Sequence, residues 1–317
     1  MSLTLEAISL YLRLVEKPFL ARAKDPVAVR AAFERTAARW FHAPADTNVI
    51  EDRIEGPAGP IAVDWLSRGR PDRRSVVIYF HGGAYMMGSR ATHRALCATL
   101  AGAAAARVIA PEYRLAPEHP FPAAIEDALA VYRGLLNTGY AAERISFAGD
   151  SAGGGIAFAL LVAAREEGLP DPACVVGFSP WLDLTMTQPS LKRNARRDPL
   201  LPAARFREVA DYYLAGADPT QPRVSPLFAT IPNPPPMLIQ ASRIEILADE
   251  SEAMATRWRE AGGDARLEWW RRAPHAWQIF AGRMREADEA LARAGGFIAQ
   301  KIGAGGGDDE EDLGFSE

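Results

Sequence analysis

Residues 144–168, RISFAGDSAGGGIAFALLVAAREEG, change character at their middle. β-branched and aromatic residues come first, a run of helix formers comes last, and one serine and four glycines lie at the join. The pattern predicts a strand that passes through GxSxG directly into a helix, with Ser151 on a tight corner between Gly149 and Gly153. Such a corner holds a nucleophilic hydroxyl beside the free N–H groups and positive dipole end of a helix. A glycine-rich turn used only for close packing is the competing interpretation.

Short apolar runs alternate with helix-like stretches over the rest of the chain. The strand candidates are IAVDWLS, SVVIYFHG, ARVIAPEY, RISFAG, CVVGFSP, PMLIQAS and ARLEWW. Helix-like stretches lie around 92–104, 123–137, 152–167, 251–262 and 276–302. Several strands are apolar without alternation, as strands buried on both faces are. The order therefore predicts an α/β fold with a largely parallel sheet and helices on both faces.

Two regions interrupt this alternation. Residues 1–45 look helical, and residues 182–222 are rich in Arg, Pro and Asp around one helix-like run. We expect both to form a helical cap over one end of the sheet, on a core made of residues 46–181 and 223–302. Residues 303–317 have glycines followed by acids and little to bury, so they are predicted to be a disordered acidic tail.

Charge and composition exclude several classes of protein. The formal net charge is -4, and six acidic residues lie beyond Ile302, which leaves +2 on the rest of the chain. Neither value favours nucleic-acid binding. Cys97 and Cys174 lie in apolar segments and are expected to be buried free thiols. The N-terminus lacks the basic start of a signal peptide, and no run approaches the ~18 apolar residues of a membrane span. We expect a cytoplasmic protein that does not insert into membranes.

A second motif, VVIYFHGGAYMMGS, covers residues 76–89. A strand ends at His81 and is followed by Gly82 and Gly83, so bare backbone stands beside a buried sheet edge. Attack of a serine on a carbonyl creates an oxyanion, which preorganised N–H donors stabilise. Gly82, Gly83 and Ala152 are the predicted donors, and His81 is expected to organise this loop rather than to catalyse. A glycine hairpin after an edge strand is the alternative.

A nucleophilic serine needs a base and an acid. His275 follows the last predicted strand, which is where the order Ser, acid, His of an α/β hydrolase puts its base. For the acid, Glu245 and Asp249 both follow the strand PMLIQAS. Glu245 stands closer behind the strand and is favoured. Asp249 precedes a helix and has Glu252 three residues later, which is typical of a capping box.

Six motifs in order resemble the bacterial hormone-sensitive-lipase-type (family IV) esterases of the α/β-hydrolase superfamily. They are HGGAYMMGS, EYRLAPEHPFPAA, GDSAGGG, SPWLDL, DPLL and PHAWQ, and the likeness covers about residues 50–300. It implies an eight-stranded core with a helical cap, Ser151 as nucleophile, His275 as base, and Gly82, Gly83 and Ala152 as oxyanion donors. The family's HGGG reads HGGA here, with Ala84 third, and Glu245 stands where an aspartate is usual.

The resemblance also implies an activity. We expect hydrolysis of short-chain carboxylic esters through an acyl-enzyme, with no metal or organic cofactor, because a covering cap limits the volume of the pocket. Side chains that could line an apolar pocket, or be plain core, are Met86, Met87, Trp181, Tyr212 and Tyr213. A homodimer through the last strand and helix is a further expectation by analogy.

Other functions share these motifs. A lactone hydrolase, or an amidase or deacetylase with the same triad, cannot be separated from an esterase by sequence. A non-catalytic small-molecule receptor is also open, since the plant gibberellin receptors resemble this family and have lost the catalytic histidine. The presence of His275 favours an enzyme.

Overall fold

The structure, a computed structural model, describes residues 2–303. The predicted acidic tail, apart from Gly303, lies outside the described residues. An eight-stranded sheet lies between two layers of helices, which confirms the predicted fold class. No helix within the described residues is long and apolar enough to cross a membrane. Cys97 and Cys174 are buried free thiols, as expected.

All the strands belong to one sheet, in the order β1-β2-β4-β3-β5-β6-β7-β8. Their bounds are β1 Thr47–Ile54, β2 Ile61–Arg68, β3 Asp72–Phe80, β4 Ala106–Pro111, β5 Ile145–Asp150, β6 Cys174–Phe178, β7 Met237–Ser242 and β8 Ala265–Trp270. Strand β2 pairs antiparallel with both of its neighbours, and every other pairing is parallel. The carboxyl ends of β3, β5, β6, β7 and β8 therefore meet at one edge.

Seven of these strands are predicted by the sequence pattern, and β1 is not. This strand pairs along its whole length with β2 at the edge of the sheet, and most of its side chains are exposed. Because one flank has no partner strand and only a few side chains, such as Val49 and Ile54, pack against the core, β1 carries no continuous apolar run for a sequence pattern to reveal.

The helices cover both faces of the sheet. Their bounds are α1 Leu3–Tyr11, α2 Lys17–Arg22, α3 Pro26–Trp40, α4 Arg90–Ala104, α5 Ala123–Asn137, α6 Ala152–Glu166, α7 Ser190–Arg193, α8 Phe206–Leu214, α9 Ala248–Glu260 and α10 Arg285–Ile302, with a π-helical turn, Leu12–Glu16, between α1 and α2. Side chains of β3 alternate between two buried clusters: Val76, Ile78 and Phe80 pack with α5 and α6, while Val77 and Tyr79 pack with α4 and α10. This two-sided burial explains the unbroken apolar run.

The last helix begins later than the sequence predicted. A single helical turn, Trp277–Phe280, comes first, and the backbone adopts a left-handed conformation at Gly282 (φ 75°) before α10 starts at Arg285. The predicted start at Ala276 was therefore wrong. His275 consequently lies in a loop between β8 and this turn, at the carboxyl edge of the sheet.

Candidate active site

Ser151 occupies the corner between β5 and α6, with φ 52° and ψ -121°. A residue with a Cβ pays about 1–3 kcal/mol for such a conformation, so the surroundings must hold it there. The Ser151 N–H donates to the carbonyl of Phe178 on β6 (2.9 Å), and the Ser151 carbonyl accepts from Gly155 N (3.0 Å) and Trp181 N (2.9 Å). The corner is thus fixed from three sides, as the GxSxG pattern predicts.

The flanking glycines are required by close backbone approach. A Cβ on Gly153 would lie 2.0 Å from the carbonyl oxygen of Phe80, and one on Gly149 would lie 2.3 Å from the carbonyl oxygen of Gly153. Neither atom can move away, because both belong to the backbone of the core. The start of α6 therefore packs directly against the end of β3. The HGGA motif begins at the next residue, His81.

The loop after β3, residues 82–88, is called the glycine loop here. The Gly82 N–H donates to Asp150 Oδ1 (2.9 Å), so its proton already has an acceptor, and the prediction that Gly82 is an oxyanion donor was wrong. Within residues 2–303, the N–H groups of Gly83, Ala84 and Ala152 have no acceptor. For Ala152 this follows from its position at the start of α6, where N–H groups lack an intrahelical partner. These three amides are the available donors.

Asp150 holds the glycine loop in place, a role that the sequence analysis did not assign. Its buried Oδ1 accepts from the Tyr79 hydroxyl (2.8 Å) as well as from Gly82 N, and lies 3.4 Å from His93 Nε2. Burial raises the pKa of Asp150, but His93 and the hydrogen bonds outweigh burial and leave that pKa below its usual value. The residue before Ser151 therefore anchors the glycine loop.

His81 is packed beneath the glycine loop. Burial, with a smaller contribution from His93, lowers the pKa of His81 to about 3, so its ring is neutral. Nδ1 lies 2.9 Å from the carbonyl oxygen of Gly82, and since a carbonyl only accepts, Nδ1 carries the proton. The ring stacks on Tyr113 at 4.3 Å. These contacts fit a residue that shapes the loop.

His275 and Glu245 form a buried pair. His275 Nδ1 lies 2.7 Å from Glu245 Oε2, and the other carboxylate oxygen accepts from Ser242 N (2.8 Å). Burial lowers the pKa of His275, but the hydrogen bond to Glu245, the charge of Glu245, and the charges of Asp198 and Asp150 together raise it above 6.5. His275 Nε2 has no hydrogen-bond partner among residues 2–303. It is available to a group in the cavity described below.

Asp249, the alternative acid, has a different environment. It lies in the first turn of α9, whose N-cap is Leu247, and that cap makes no side-chain hydrogen bond, so the predicted capping box was wrong. The Asp249 carboxylate instead accepts from Ser190 N (2.8 Å) and pairs with Arg193. It ties α9 to the 182–222 insertion, and Glu245 is the carboxylate that contacts His275.

A cavity of about 820 Å³ opens over these residues. Ser151, His275 and Gly83 line it, and the N-terminal helices and α8 supply mainly apolar walls. Four of the predicted pocket residues also line it, namely Met86, Met87, Trp181 and Tyr212. Among residues 2–303 there is no group of three or more His, Cys, Asp or Glu side chains that could hold a metal ion.

Tyr213 is the predicted pocket residue that lies elsewhere. It is 1% exposed, and its ring stacks on Tyr85 at 3.8 Å, behind the cavity wall. Tyr212 and Tyr213 are neighbours on α8, so their side chains point in different directions around the helix, and one of them reaches the cavity while the other enters the core.

Comparison with known proteins assigns this site to a family. The sequence profile of the alpha/beta hydrolase fold matches residues 77–279. An esterase from the bacterial hormone-sensitive lipase family superposes with a TM-score of 0.88 at 38% identity, over 95% of this chain and 99% of that chain. This chain belongs to the bacterial hormone-sensitive-lipase-type esterases of the α/β-hydrolase superfamily.

Relatives of this esterase carry related activities in their names. It is 40% identical to an acetyl-hydrolase of Streptomyces hygroscopicus, over 78% of this chain and 82% of that protein. An esterase of Acinetobacter venetianus is 36% identical over 68% of this chain and 72% of its own length. A crystal structure of EstE5, soaked with p-nitrophenyl butyrate, superposes with a TM-score of 0.90 at 35% identity and covers 96% of this chain and all of that one (100%).

Proposed function

We propose that this esterase is a serine hydrolase that cleaves short-chain carboxylic esters through an acyl-enzyme, with Ser151 as nucleophile, His275 as base and Glu245 as acid. The observation that carries the proposal is the buried 2.7 Å contact between His275 and Glu245 on the same cavity as the strained corner at Ser151. The Nδ1–H of neutral His275 donates a hydrogen bond to Glu245, which fixes the tautomer whose Nε2 is a base.

Acylation begins when Ser151 Oγ attacks the ester carbonyl and His275 Nε2 takes the hydroxyl proton. Nε2 has no hydrogen bond to Ser151 in the structure, and catalytic contacts of this kind commonly tighten only when substrate is bound. Glu245 stabilises the imidazolium that forms. The C–O bond to the alcohol then breaks, and the alcohol leaves with the proton returned by His275.

The tetrahedral oxyanion is stabilised by the N–H groups of Gly83, Ala84 and Ala152. All three lack an acceptor within the described residues, and two belong to the glycine loop that Asp150 holds. Each such donor contributes about 3–4 kcal/mol to the barrier reduction in enzymes of this mechanism. Water then attacks the acyl-enzyme with His275 again as base, the Ser151–acyl bond breaks, and the free acid leaves.

The preference for short acyl chains rests on relatives rather than on the cavity. A similar protein is named an acetyl-hydrolase, and the EstE5 structure was soaked with p-nitrophenyl butyrate. The cavity, at about 820 Å³, is in the upper part of the range of 300–1,000 Å³ typical of pockets for drug-sized ligands. The expectation that a cap limits the volume to short chains therefore lacks support from the geometry.

The division of the chain is part of the same proposal. Residues 1–45 and 182–222 act as a helical cap, and residues 46–181 and 223–302 act as the hydrolase core. Contacts between Lys17 and the carbonyls of Ala195 and Asp198 support a cap built from both regions. The homodimer and the cytoplasmic location stay predictions of the sequence analysis.

The test is the variant Ser151→Ala with p-nitrophenyl butyrate as substrate. We expect kcat to fall by about 10⁴-fold or more, because the nucleophile is lost, while the thermal unfolding temperature stays nearly unchanged. Residual turnover comparable to the parent would remove Ser151 from the mechanism. A panel of p-nitrophenyl esters of increasing chain length, lactones and anilides measures the ester, lactone and amide activities side by side.

A further inference from the structure

The acid of the triad sits on a loop that the cap insertion contacts. The acid loop is defined here as residues 243–247, and the bridging segment as residues 190–198 of the insertion. Ser190 Oγ donates to the carbonyl of Ile246 (2.6 Å). Asn194 Nδ2 donates to the carbonyl of Glu245 (2.8 Å). Ile246 N donates to Asp198 Oδ2 (3.0 Å). The side chains of Ser190, Asn194 and Asp198 are all 0% exposed, and each lies four residues after the one before it.

Asp198 is the central residue of this contact. Its Oδ1 accepts from the N–H groups of Leu200 (2.8 Å) and Leu201 (2.9 Å), both of which line the cavity, while Oδ2 accepts from the acid loop. No Lys or Arg side chain within residues 2–303 forms an ion pair with the Asp198 carboxylate. The carboxylate is thus used to hold backbone: one oxygen holds the cavity wall and the other holds the acid loop.

The N-terminal helices hold the other side of the bridging segment. Lys17 Nζ donates to the carbonyls of Ala195 (2.7 Å) and Asp198 (2.6 Å). Arg13 donates to the carbonyls of residues 196 and 197, each at 2.7 Å. Four consecutive carbonyls of the bridging segment are therefore bound by two cations of the cap, and neither cation forms an ion pair with a carboxylate in the described part of the chain.

The backbone–backbone hydrogen bonds at the turn of the acid loop are long, although Ser242 N also donates to Glu245 Oε1 (2.8 Å). The bonds from Glu245 N to Ser242 O and from Ala248 N to Glu245 O are long, at 3.3 and 3.4 Å. The bonds that the bridging segment makes to the same loop are between 2.6 and 3.1 Å. The insertion therefore holds the loop backbone in addition to the turn itself and to the contact of Arg243 N with the carbonyl of Trp270 (3.2 Å).

We propose that Asp198 and Asn194 are positioning residues for Glu245, and that Arg13 and Lys17 hold them from the cap, so that the cap supports the acid of the triad. The inference rests on the proposed triad and adds to it. A carboxylate that is displaced no longer orients His275, and displacement by about 1 Å can cost about 100-fold in rate. The contacts predict an effect on kcat rather than on substrate binding.

The first variant is Asp198→Asn, which keeps the size of the side chain and replaces one acceptor oxygen by a donor. We expect kcat on p-nitrophenyl butyrate, per site titrated with a serine-reactive inhibitor, to fall about 10–100-fold with KM within about two-fold. Asp183→Asn is the matched control, because Asp183 is a buried carboxylate of the same insertion that accepts from Thr185 N (2.8 Å) and makes no hydrogen bond to the acid loop. A lowered unfolding temperature with kcat unchanged in Asp198→Asn would overturn the proposal.

A double-mutant cycle separates positioning from general stabilisation. If Asp198 acts through Glu245, Asp198→Asn should lower kcat by less than about two-fold in a Glu245→Gln background, because the function that it supports is already lost. A full and additive loss in that background would overturn the proposal while leaving the triad intact. If Glu245→Gln itself kept parental kcat, the proposed triad would be wrong, which is a distinguishable result.

Lys17→Met tests the contact from the N-terminal helices and leaves the side chains of Asp198 and Glu245 unchanged. It removes two hydrogen bonds to the bridging segment, and we expect kcat to fall about 3–10-fold with KM little changed. Arg22→Met on α2 is the control, since Arg22 lies on the same stretch of helix and makes no side-chain hydrogen bond among residues 2–303. Equal kcat in the two variants would contradict support from the cap.

Discussion

The proposed nucleophile, Ser151, and the proposed acid, Glu245, are held by different parts of the molecule. Ser151 is fixed by the core alone: β6 accepts its N–H, its carbonyl accepts from α6 and from the loop after β6, and the end of β3 touches Gly153. Glu245 stands on a loop whose backbone is held by Asn194 and Asp198 of the insertion. The proposed nucleophile is therefore held by the proposed hydrolase core, whereas the position of the proposed acid depends on the 182–222 insertion as well.

This difference predicts that damage to the two sides has different consequences. A change in the backbone contacts of the corner, such as at Gly153, should affect folding and activity together, because these contacts join α6 to the sheet. A change in the support of the acid should affect the rate with a smaller effect on stability, because the insertion lies outside the sheet. The variants below test this contrast, in descending order of expected effect.

Gly153→Ala should have the largest effect. The new Cβ would lie 2.0 Å from the carbonyl oxygen of Phe80, so β3 and α6 would have to separate. We expect a loss of several kcal/mol in the free energy of unfolding, of the kind that overpacking and backbone strain produce, and loss of activity with it. Gly296→Ala on α10 is the control, since nothing lies within 4 Å of its added Cβ. Urea denaturation measures the free energy of unfolding of both variants. Equal values would contradict the claim that the Ser151 corner is held by the packing of α6 against β3.

Glu245→Gln should have the next largest effect, on rate alone. The neutral amide cannot stabilise the imidazolium of His275 and can favour the wrong tautomer, so we expect kcat to fall by about 10³–10⁴-fold. Asp249→Asn should cost far less, because Asp249 contacts Ser190 and Arg193 rather than His275. Steady-state kinetics on p-nitrophenyl butyrate compares the two. A larger loss in Asp249→Asn would move the acid to Asp249.

The pH dependence should show the smallest effect. As the proposed base, His275 must be neutral, and its pKa is raised above 6.5, chiefly by Glu245 acting against burial. The kcat/KM profile should therefore fall on the acid side with a midpoint above pH 6.5. In Glu245→Gln the raising contribution is lost while burial remains, so the midpoint of the residual activity should move to lower pH. An unchanged midpoint in that variant would show that Glu245 does not set the pKa of His275.

The same contrast explains how much the sequence predicted. Ser151, its flanking glycines and the strand-to-helix turn are local, and GxSxG carries their geometry in consecutive residues. His275 and Glu245 were found because each follows a strand whose carboxyl end reaches the same sheet edge. Sequence order along a parallel sheet is thus sufficient to bring the predicted triad residues to one edge.

Contacts between distant residues were not predictable in the same way. Gly82 was wrongly assigned as a donor because its N–H is bound by Asp150, 68 positions away. The support of the acid loop by Asp198 spans 48 positions, and nothing in DPLL or EILAD indicates the pairing. Tyr213 and Tyr212 differ only in which side of α8 they occupy relative to the cavity. Each case depends on the direction of a single side chain or amide, which the apolar pattern does not determine.

The most direct test of the central claim is covalent labelling with phenylmethylsulfonyl fluoride (PMSF), with which the similar protein EstE5 has been crystallised. The claim is that Ser151 is a nucleophile activated by His275. Peptide mass spectrometry of the treated protein should find one adduct, on the peptide that contains Ser151, and its rate of formation should fall by at least about 10²-fold in His275→Ala. An adduct on another serine, or labelling of Ser151 at the same rate in both proteins, would contradict the account.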